Sequence, residues 1–234
     1  MTQPTESPMM TPGRMVAALF VQTGGAYFGV PGVDPWDEAR DARLYRGPYP
    51  VVAHPPCGRW CKPLAKVNQT RYGHKIGDDG GCFLAALRAV NRFGGVLEHP
   101  AHSYAWDRFA LPKPTRGRWT ADKGFWVTEV SQSAYGHKAR KRTWLLYIGK
   151  EPPALNWSDP PGTHLTSWLQ RTTRIAPRIT KREADKTPIS FRDLLIDLAR
   201  HCNEADFWRT PCNRPHCRKL ESHPPGNQCS LGMP

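Results

Sequence analysis

Residues 83–100 read Phe-Leu-Ala-Ala-Leu-Arg-Ala-Val-Asn-Arg-Phe-Gly-Gly-Val-Leu-Glu-His-Pro, and this stretch indicates the fold class. Its apolar residues recur every three or four positions, which is the period of an amphipathic helix, until Gly94-Gly95 ends the pattern. Asp79 precedes it as a candidate cap. An apolar segment that ends at Glu98 follows directly and predicts a strand. A helix that returns into a strand through a short turn is typical of a parallel α/β sheet.

Further elements are predicted on both sides of this unit. Short apolar runs predict strands at residues 15–21, 49–53, 125–130 and 144–148. The charged stretch Asp34 to Arg46 has the spacing of a short exposed helix, and Thr187-Pro188 opens a second amphipathic helix. We therefore expect one α/β domain.

Composition divides the chain into four parts. Residues 1–14 are rich in Thr, Pro and Met and read as a disordered tail, whereas residues 15–149 carry the α/β pattern. Residues 150–200 form a basic arm with two Pro-Pro pairs, followed by the last helix. Residues 201–234 are a Cys/His-rich tail without periodicity.

Length and composition exclude several classes of protein. The chain has 234 residues, of which 39 % are hydrophobic, so it can build a sizeable core and is not wholly disordered. No apolar run approaches the ~20 residues of a membrane helix, so we expect no membrane partner. Seven cysteines, an odd number, without a secretory signal predict reduced thiols and a cytoplasmic location.

The positive charge is concentrated in two segments. The chain holds 33 Lys+Arg against 20 Asp+Glu. Residues 111–150 hold nine of these cations against two acids, and residues 171–182 add five more. Clustered cations replace counterions along phosphates, which favours DNA as the partner over a merely soluble basic surface. The candidate DNA-binding residues are Lys138, Lys141, Arg171, Arg174 and Arg178.

Three motifs carry candidate chemistry. Cys57 follows a strand and two prolines, and a thiolate there is a competent nucleophile if cations lower its pKa. Glu98 ends the next strand, and adjacent parallel strands end at the same edge of a sheet. Arg140 and Arg142 precede the strand at 144–148, and their guanidinium groups suit phosphates and carbonyls. An inert buried cysteine, a solvated glutamate and a solvated basic loop stay open as alternatives.

Together these motifs resemble the DNA cytosine-5 methyltransferase family over residues 16–149. Pro56-Cys57 is similar to the family's Pro-Cys nucleophile, and Glu98 to its Glu-Asn-Val strand end. The run Lys138-x-Arg140-x-Arg142 is similar to its Gln-x-Arg-x-Arg strand start. The order also resembles small phage-encoded or prophage relatives of that fold. The segment from Leu19 to Tyr27 resembles the Phe-x-Gly-x-Gly-Gly turn that holds S-adenosylmethionine.

The resemblance implies a reduced Rossmann-like methyltransferase sheet and modification of cytosine bases in DNA, in the cytoplasm of a bacterial host cell. Cys57 would attack C6 of a flipped base, while Glu98 would contact the N3 edge and protonate it. Arg140 and Arg142 would bind the base or its phosphates, and Trp60 or Tyr135 would stack on the base or the gap. The implied S-adenosylmethionine contacts are Phe20, Gly24, Gly25 and Asp34, where Asp34 or Asp37 would stand in for the family's ribose-binding acid.

Cysteine and histidine positions add two zinc hypotheses, since zinc prefers four nitrogen or sulfur ligands. One site would use the tail residues Cys202, Cys212, Cys217 and Cys229, which His216 and His223 accompany. The other would use His54, Cys57, Cys61 and Cys82, with or without His74, and would make Cys57 a ligand. Two alternatives to the enzyme therefore stay open: a catalytically inactive DNA-binding protein with a methyltransferase-like fold, and a zinc-dependent DNA-acting protein.

Overall fold

The computed structural model describes residues 14–165 and 175–202. Its strands are β1 (Val16–Leu19), β2 (Val33–Trp36), β3 (Val51–Ala53), β4 (Gly95–Pro100), β5 (Thr120–Asp122), β6 (Phe125–Ser131) and β7 (Arg142–Ile148). Its helices are α1 (Lys62–Tyr72), α2 (Cys82–Phe93), α3 (Tyr104–Arg108), α4 (Lys181–Asp185) and α5 (Ile189–Arg200). None of these described helices is long and apolar enough to cross a membrane.

The seven strands form one mixed sheet in the order β2-β1-β3-β4-β7-β6-β5. β2, β1, β3 and β4 are parallel neighbours, whereas β7 runs antiparallel to both β4 and β6, and β5 antiparallel to β6. The predicted α/β class is confirmed, but the sheet is only partly parallel. β6 and β7 pair antiparallel because residues 132–141 join them directly, without the long crossover that parallel strands need.

Helices cover both faces of the sheet, as the side-chain alternation of its strands requires. On one side, here called the α2 face, Leu19 packs in the same cluster as Phe83 of α2. On the other, the α5 face, Val52 packs in the same cluster as Phe191 of α5. The helix predicted within residues 150–200 therefore belongs to the same core as the sheet.

The helix and strand that indicated the fold form as predicted. Asp79 accepts a hydrogen bond from the Phe83 amide at 2.8 Å at the start of α2, and Gly94, with φ 75°, ends it. β4 begins at once with Gly95, where a Cβ atom would lie 1.9 Å from the Val51 carbonyl oxygen. Glycine is thus required for β3 and β4 to pair at this point.

The prediction of a helix over Asp34 to Arg46 is wrong. Residues Val33–Trp36 form β2, and a 3-10 turn follows at Ala42–Leu44. β2 pairs in parallel with β1 and supplies hydrogen-bond partners to its outer backbone groups. Pro35, which lacks an N–H, is tolerated in β2 because this is the edge strand of the sheet.

Candidate active site

Two predicted catalytic residues meet at a topological switch point of the sheet. After β1 the chain turns outward to β2, and it then passes back across β1 to enter β3 on the other side. Such a reversal leaves a crevice beyond the carboxyl ends of the strands, where α/β proteins bind ligands. Cys57 follows β3 at this edge, and Glu98 lies towards the end of β4.

A chain of buried hydrogen bonds runs through this crevice. The Tyr27 hydroxyl lies 2.7 Å from Nε2 of His54, and Nδ1 of His54 lies 3.0 Å from Oε2 of Glu98. Nε2 of Gln132 donates to Oε1 of Glu98 at 3.2 Å and to Oγ1 of Thr143 at 3.0 Å. A carboxylate can only accept, so Nδ1 of His54 carries a proton and donates it to Glu98.

Glu98 is ionised in this setting. Burial by itself raises the pKa of its carboxyl, since the side chain belongs to a residue only 7 % exposed. The hydrogen bond and charge of His54, together with the Lys141 charge, outweigh burial and lower the pKa to about 2. At neutral pH Glu98 is therefore a hydrogen-bond acceptor.

A tight turn holds Cys57 and Cys61 together. The backbone amides of Trp60 and Cys61 both donate to the Cys57 carbonyl oxygen at 2.9 Å. Both thiols are partly exposed and neither is in a disulfide. The turn thus presents two sulfur atoms at the mouth of the crevice.

The Cys57 thiol is activated by its neighbours. The hydrogen bond from Cys61 lowers the pKa of Cys57, burial raises it, and the Lys141 charge lowers it further. The negative charges of Glu98 and Asp185 act in the opposite direction, and the net result is a lowered pKa. The same hydrogen bond raises the pKa of Cys61, so Cys57 is the sulfur that ionises more readily.

Two predicted DNA-binding lysines contact α4, the helix next to the Cys57 turn. Nζ of Lys141 donates to the Ala184 carbonyl oxygen at 3.1 Å, and Nζ of Lys138 lies 3.2 Å from Oε1 of Glu183. Thr180 and Glu183 form a capping box at the start of α4. These contacts hold the Lys141 charge beside the crevice.

The amino end of α5 covers the Tyr27 side of the crevice. Nη1 of Arg192 donates to the Ala26 carbonyl oxygen at 2.8 Å. The Tyr135 ring packs against the Phe191 ring with centroids 5.4 Å apart. The hydrogen-bonded chain is therefore shielded by a helix that lies far from it in the sequence.

Arg140 and Arg142, predicted to bind the base, lie in an ion-pair cluster. Arg142 donates to the two carboxylate oxygens of Glu129 at 2.7 and 2.9 Å. Arg140 pairs with Asp159, and Arg116 joins both acids at 3.0 and 2.8 Å. A direct role of these two arginines in base binding stays a prediction.

The alternation of β7 explains this arrangement. Trp144 packs in the α2-face cluster and shares the Glu129 carboxylate with Arg142, donating from Nε1 at 2.9 Å. Thr143, between them, contacts Gln132 on the side of Glu98. The structure thus brings Cys57 and Glu98 together with Lys141 and directs Arg142 to the other face.

The glycine turn predicted to hold the cofactor follows β1. Phe20, directly after β1, has φ 59°, and Gly24 has φ 65°. A Cβ atom on Gly25 would lie 2.8 Å from the Gln22 carbonyl oxygen. The backbone is therefore compact here, but turns rather than a helix follow it before β2.

The acidic residues of β2 have different surroundings. The Asp34 carboxylate accepts from Nη1 of Arg40 at 2.5 Å and from Nε1 of Trp36 at 2.8 Å. Asp37, one residue beyond β2, accepts from the Thr23 hydroxyl at 2.8 Å, a hydrogen bond that lowers its pKa. Asp37 is therefore the acid that contacts the glycine turn.

His99 lies on the other side of β4 from Glu98. Its ring contacts the rings of Phe83 and Trp106, with centroids 5.2 and 6.3 Å apart. Burial lowers the pKa of His99 to about 4, so it is neutral at physiological pH. It belongs to the aromatic core of the α2 face.

No cluster of three or more metal-ligating side chains is found within residues 14–165 and 175–202. Cys202 is 1 % exposed, and its thiol donates to the Ile148 carbonyl oxygen at 2.9 Å under α5. The other cysteines of the predicted tail site, Cys212, Cys217 and Cys229, lie outside the described residues.

The predicted basic segments are partly neutralised by acids. Arg178 forms a backbone bridge with Leu165, while Arg171 and Arg174 lie outside the described residues. Several cations of residues 111–150 have an acidic partner: Lys113, Arg116, Lys138, Arg140 and Arg142. The charge available to phosphates is therefore smaller than composition alone indicates.

Sequence reasoning missed Tyr27 and Gln132 as members of the site. Gln132 stands in the segment that leads into the basic stretch, which was the one available signal. No protein-family model, curated protein or solved structure matches the chain. The site is therefore interpreted from its own geometry.

Proposed function

We propose that the protein binds DNA and modifies a cytosine base by adding the Cys57 thiolate to C6 of the ring, on a reduced Rossmann-like methyltransferase fold. The observation that carries this proposal is the meeting of two groups at one switch-point crevice: a thiol with a lowered pKa and the ionised Glu98. The motif order of the sequence supports the same two residues.

The chemistry follows from thiolate addition. A bond forms between the Cys57 sulfur and C6, while the π electrons of the C5–C6 double bond move towards C5. C5 then attacks the electrophilic carbon of a one-carbon donor, and the bond from that carbon to the donor's leaving group breaks. Loss of the C5 proton to water and cleavage of the sulfur–C6 bond then restore the aromatic ring and the thiolate. Lys141 stabilises the thiolate before attack and after release.

The ionised state of Glu98 gives it an acceptor role. Cytosine presents its N4 amino group as a donor, and carboxylates accept from it. His54 and Gln132 fix the orientation of the carboxylate. This role replaces the expected protonation of N3, because a carboxyl with a pKa of about 2 holds no proton at neutral pH.

S-adenosylmethionine is the proposed donor, and it supplies an electrophilic methyl group when bound. The compact backbone at Gly24 and Gly25 suits close approach of a ligand. Asp37 rather than Asp34 suits ribose hydroxyls, because it lies directly beyond β2 beside Thr23, whereas Asp34 is paired with Arg40. The base must leave the duplex to reach Cys57.

The test is the release of tritium from C5 of cytosine in DNA, because this exchange requires only reversible addition at C6 and no methyl donor. We expect release by the wild type and background release by Cys57→Ser. Cys61→Ser is the matched control: it keeps a hydroxyl that can donate to Cys57, so exchange persists.

Equal release by wild type and Cys57→Ser would contradict the assigned nucleophile. DNA binding without any release by the wild type would instead indicate the catalytically inactive DNA-binding protein.

A further inference from the structure

A second cleft opens beside the active-site turn, on the α2 face. It lies between α3 and the loop that joins α1 to α2, it is open to solvent, and its volume is about 430 Å³. This volume is within the range of small-ligand sites. The lining residues of this α1–α3 cleft are Trp60, Lys75, Ile76, Gly77, Asp78, Tyr104 and Arg108.

Trp60 forms the fixed floor of the cleft: it is 4 % exposed and packs against Phe83 and Phe109, so it offers no free ring face. Nε1 of Trp60 donates to Oδ2 of Asp79 at 2.8 Å, and the Trp60 carbonyl oxygen accepts from the Tyr104 amide at 2.9 Å. Gly77, with φ 83°, lies against the indole, since a Cβ atom there would be 2.9 Å from Cη2 of Trp60. A floor ordered in advance loses little entropy when a ligand binds.

The rim of the cleft is basic and partly apolar. Lys75 and Arg108 are exposed on opposite sides of it, against one lining acid, Asp78. Ile76 is 38 % exposed, and Tyr72, the last residue of α1, is 60 % exposed. Proteins bind unpaired bases by stacking them on aromatic rings and bind the adjoining phosphates with cations. Inorganic phosphate would contact the cations but not the apolar side chains.

We propose that the α1–α3 cleft binds an unpaired nucleotide of a DNA strand, with the base against Tyr104 and Ile76 and the phosphates on Lys75 and Arg108. This inference rests on the proposed function, because a base drawn towards Cys57 leaves a distorted strand beside it. Trp60 is in the same turn as Cys57 and lines the cleft, so the cleft and the crevice are neighbours.

The experiment measures the affinity of a short fluorescein-labelled oligo(dT) by anisotropy at several salt concentrations. The variant Lys75→Ala/Arg108→Ala is compared with Arg92→Ala/Lys150→Ala, which removes the same charge from exposed positions at the opposite edge of the sheet. We expect the first variant to bind about tenfold more weakly than the second. Its salt slope should fall by about 1.4, since each single-strand phosphate contact contributes about 0.7.

Tyr104→Leu should weaken binding about fivefold without changing the salt slope, because it removes stacking and no charge. Cys57→Ser should bind as the wild type does, so failure of tritium exchange is distinguishable from failure of the cleft. Equal affinity of the two double variants overturns the proposal, and so does binding of thymidine monophosphate without binding of the strand.

Discussion

The two faces of β4 treat neighbouring ionisable residues in opposite ways. Burial opposes the charged form of both Glu98 and His99. On the α5 face, hydrogen bonding and nearby positive charge outweigh burial, and Glu98 stays ionised. On the α2 face, aromatic rings surround His99, and burial keeps it neutral. Partners rather than depth therefore decide which buried residue carries charge.

The basic residues at the start of β7 divide in the same way. Lys141 lowers the pKa of both Cys57 and Glu98 in the crevice. The charge of the next residue, Arg142, is directed to Glu129 on the other face. We therefore expect variants of these two basic residues to fail differently: Lys141 variants in the reactivity of Cys57 and Arg142 variants in the stability of the Glu129 cluster.

The largest expected effect is on the Glu129 cluster. Glu129 is 4 % exposed and accepts hydrogen bonds from Arg116, Arg142 and the Trp144 indole. Glu129→Ala leaves these donors without their carboxylate, so it should lower the free energy of unfolding by about 4 kcal/mol. Urea denaturation measures this loss.

The matched control for that variant is Asp185→Ala. Asp185 is exposed and pairs with Lys181 in solvent, so its loss should cost under about 1 kcal/mol. If Glu129→Ala lowered the free energy of unfolding by no more than about 1 kcal/mol, as the control should, the cluster would not stabilise the α2 face.

The next largest expected effect is on the pH dependence of the free energy of unfolding, in which Glu98 and His99 contribute over different pH ranges. The folded pKa of Glu98, about 2, lies below the 4.5 of an unperturbed glutamate, so its stabilisation is present above pH 4.5 and is lost as pH falls towards 2. The folded pKa of His99, about 4, lies below the 6.5 of an unperturbed histidine. Between pH 6.5 and pH 4 the imidazole therefore binds a proton only in the unfolded chain, and the folded state loses stability as the pH falls through this range. Each group contributes about 3 kcal/mol.

Urea denaturation across pH 2 to 7 tests these two windows. Glu98→Gln should abolish the loss of stability between pH 4.5 and pH 2 and leave the loss between pH 6.5 and pH 4 unchanged. His99→Leu should abolish the loss between pH 6.5 and pH 4 and leave the other unchanged. Identical pH profiles for the two variants would contradict the assignment of the two residues to different environments.

The smallest effect compares Lys141 with Arg142. Lys141→Gln removes a charge that favours the Cys57 thiolate, so the pKa of Cys57 should rise. Arg142→Gln should leave that pKa unchanged, because its charge faces Glu129. Mass spectrometry of the Cys57 peptide after iodoacetamide labelling at increasing pH measures the pKa of Cys57 in each variant. A raised pKa in both variants would contradict the assignment of the Lys141 and Arg142 charges to different faces.

Local signals made part of this fold predictable. The period of α2, its Asp79 cap and its glycine end all lie within one segment of sequence, and α2 and β4 formed there. β2 was missed because its strand character depends on pairing with β1, which outweighs the helical spacing of its charges.

The candidate site was predictable only in part for the same reason. Cys57 and Glu98 each follow a recognisable strand, so their shared edge could be expected. Tyr27 contacts His54, which is 27 residues away in sequence, and Gln132 contacts Glu98, which is 34 residues away. No local sequence pattern encodes contacts of this range. The partner of Arg142 depends on the register that sets Glu129 opposite Trp144.

The contact between Arg192 and Ala26 has a consequence for the order of folding. These residues are 166 positions apart, and α5 is the last described helix to leave the ribosome. Until α5 is synthesised, the apolar residues of the α5 face have no cover, and the loop that carries Tyr27 is not held. Contacts of such long range form slowly, and the exposed sheet is prone to aggregate meanwhile. Formation of the crevice is therefore coupled to the synthesis of α5, and a nascent chain that lacks α5 does not hold the loop that carries Tyr27.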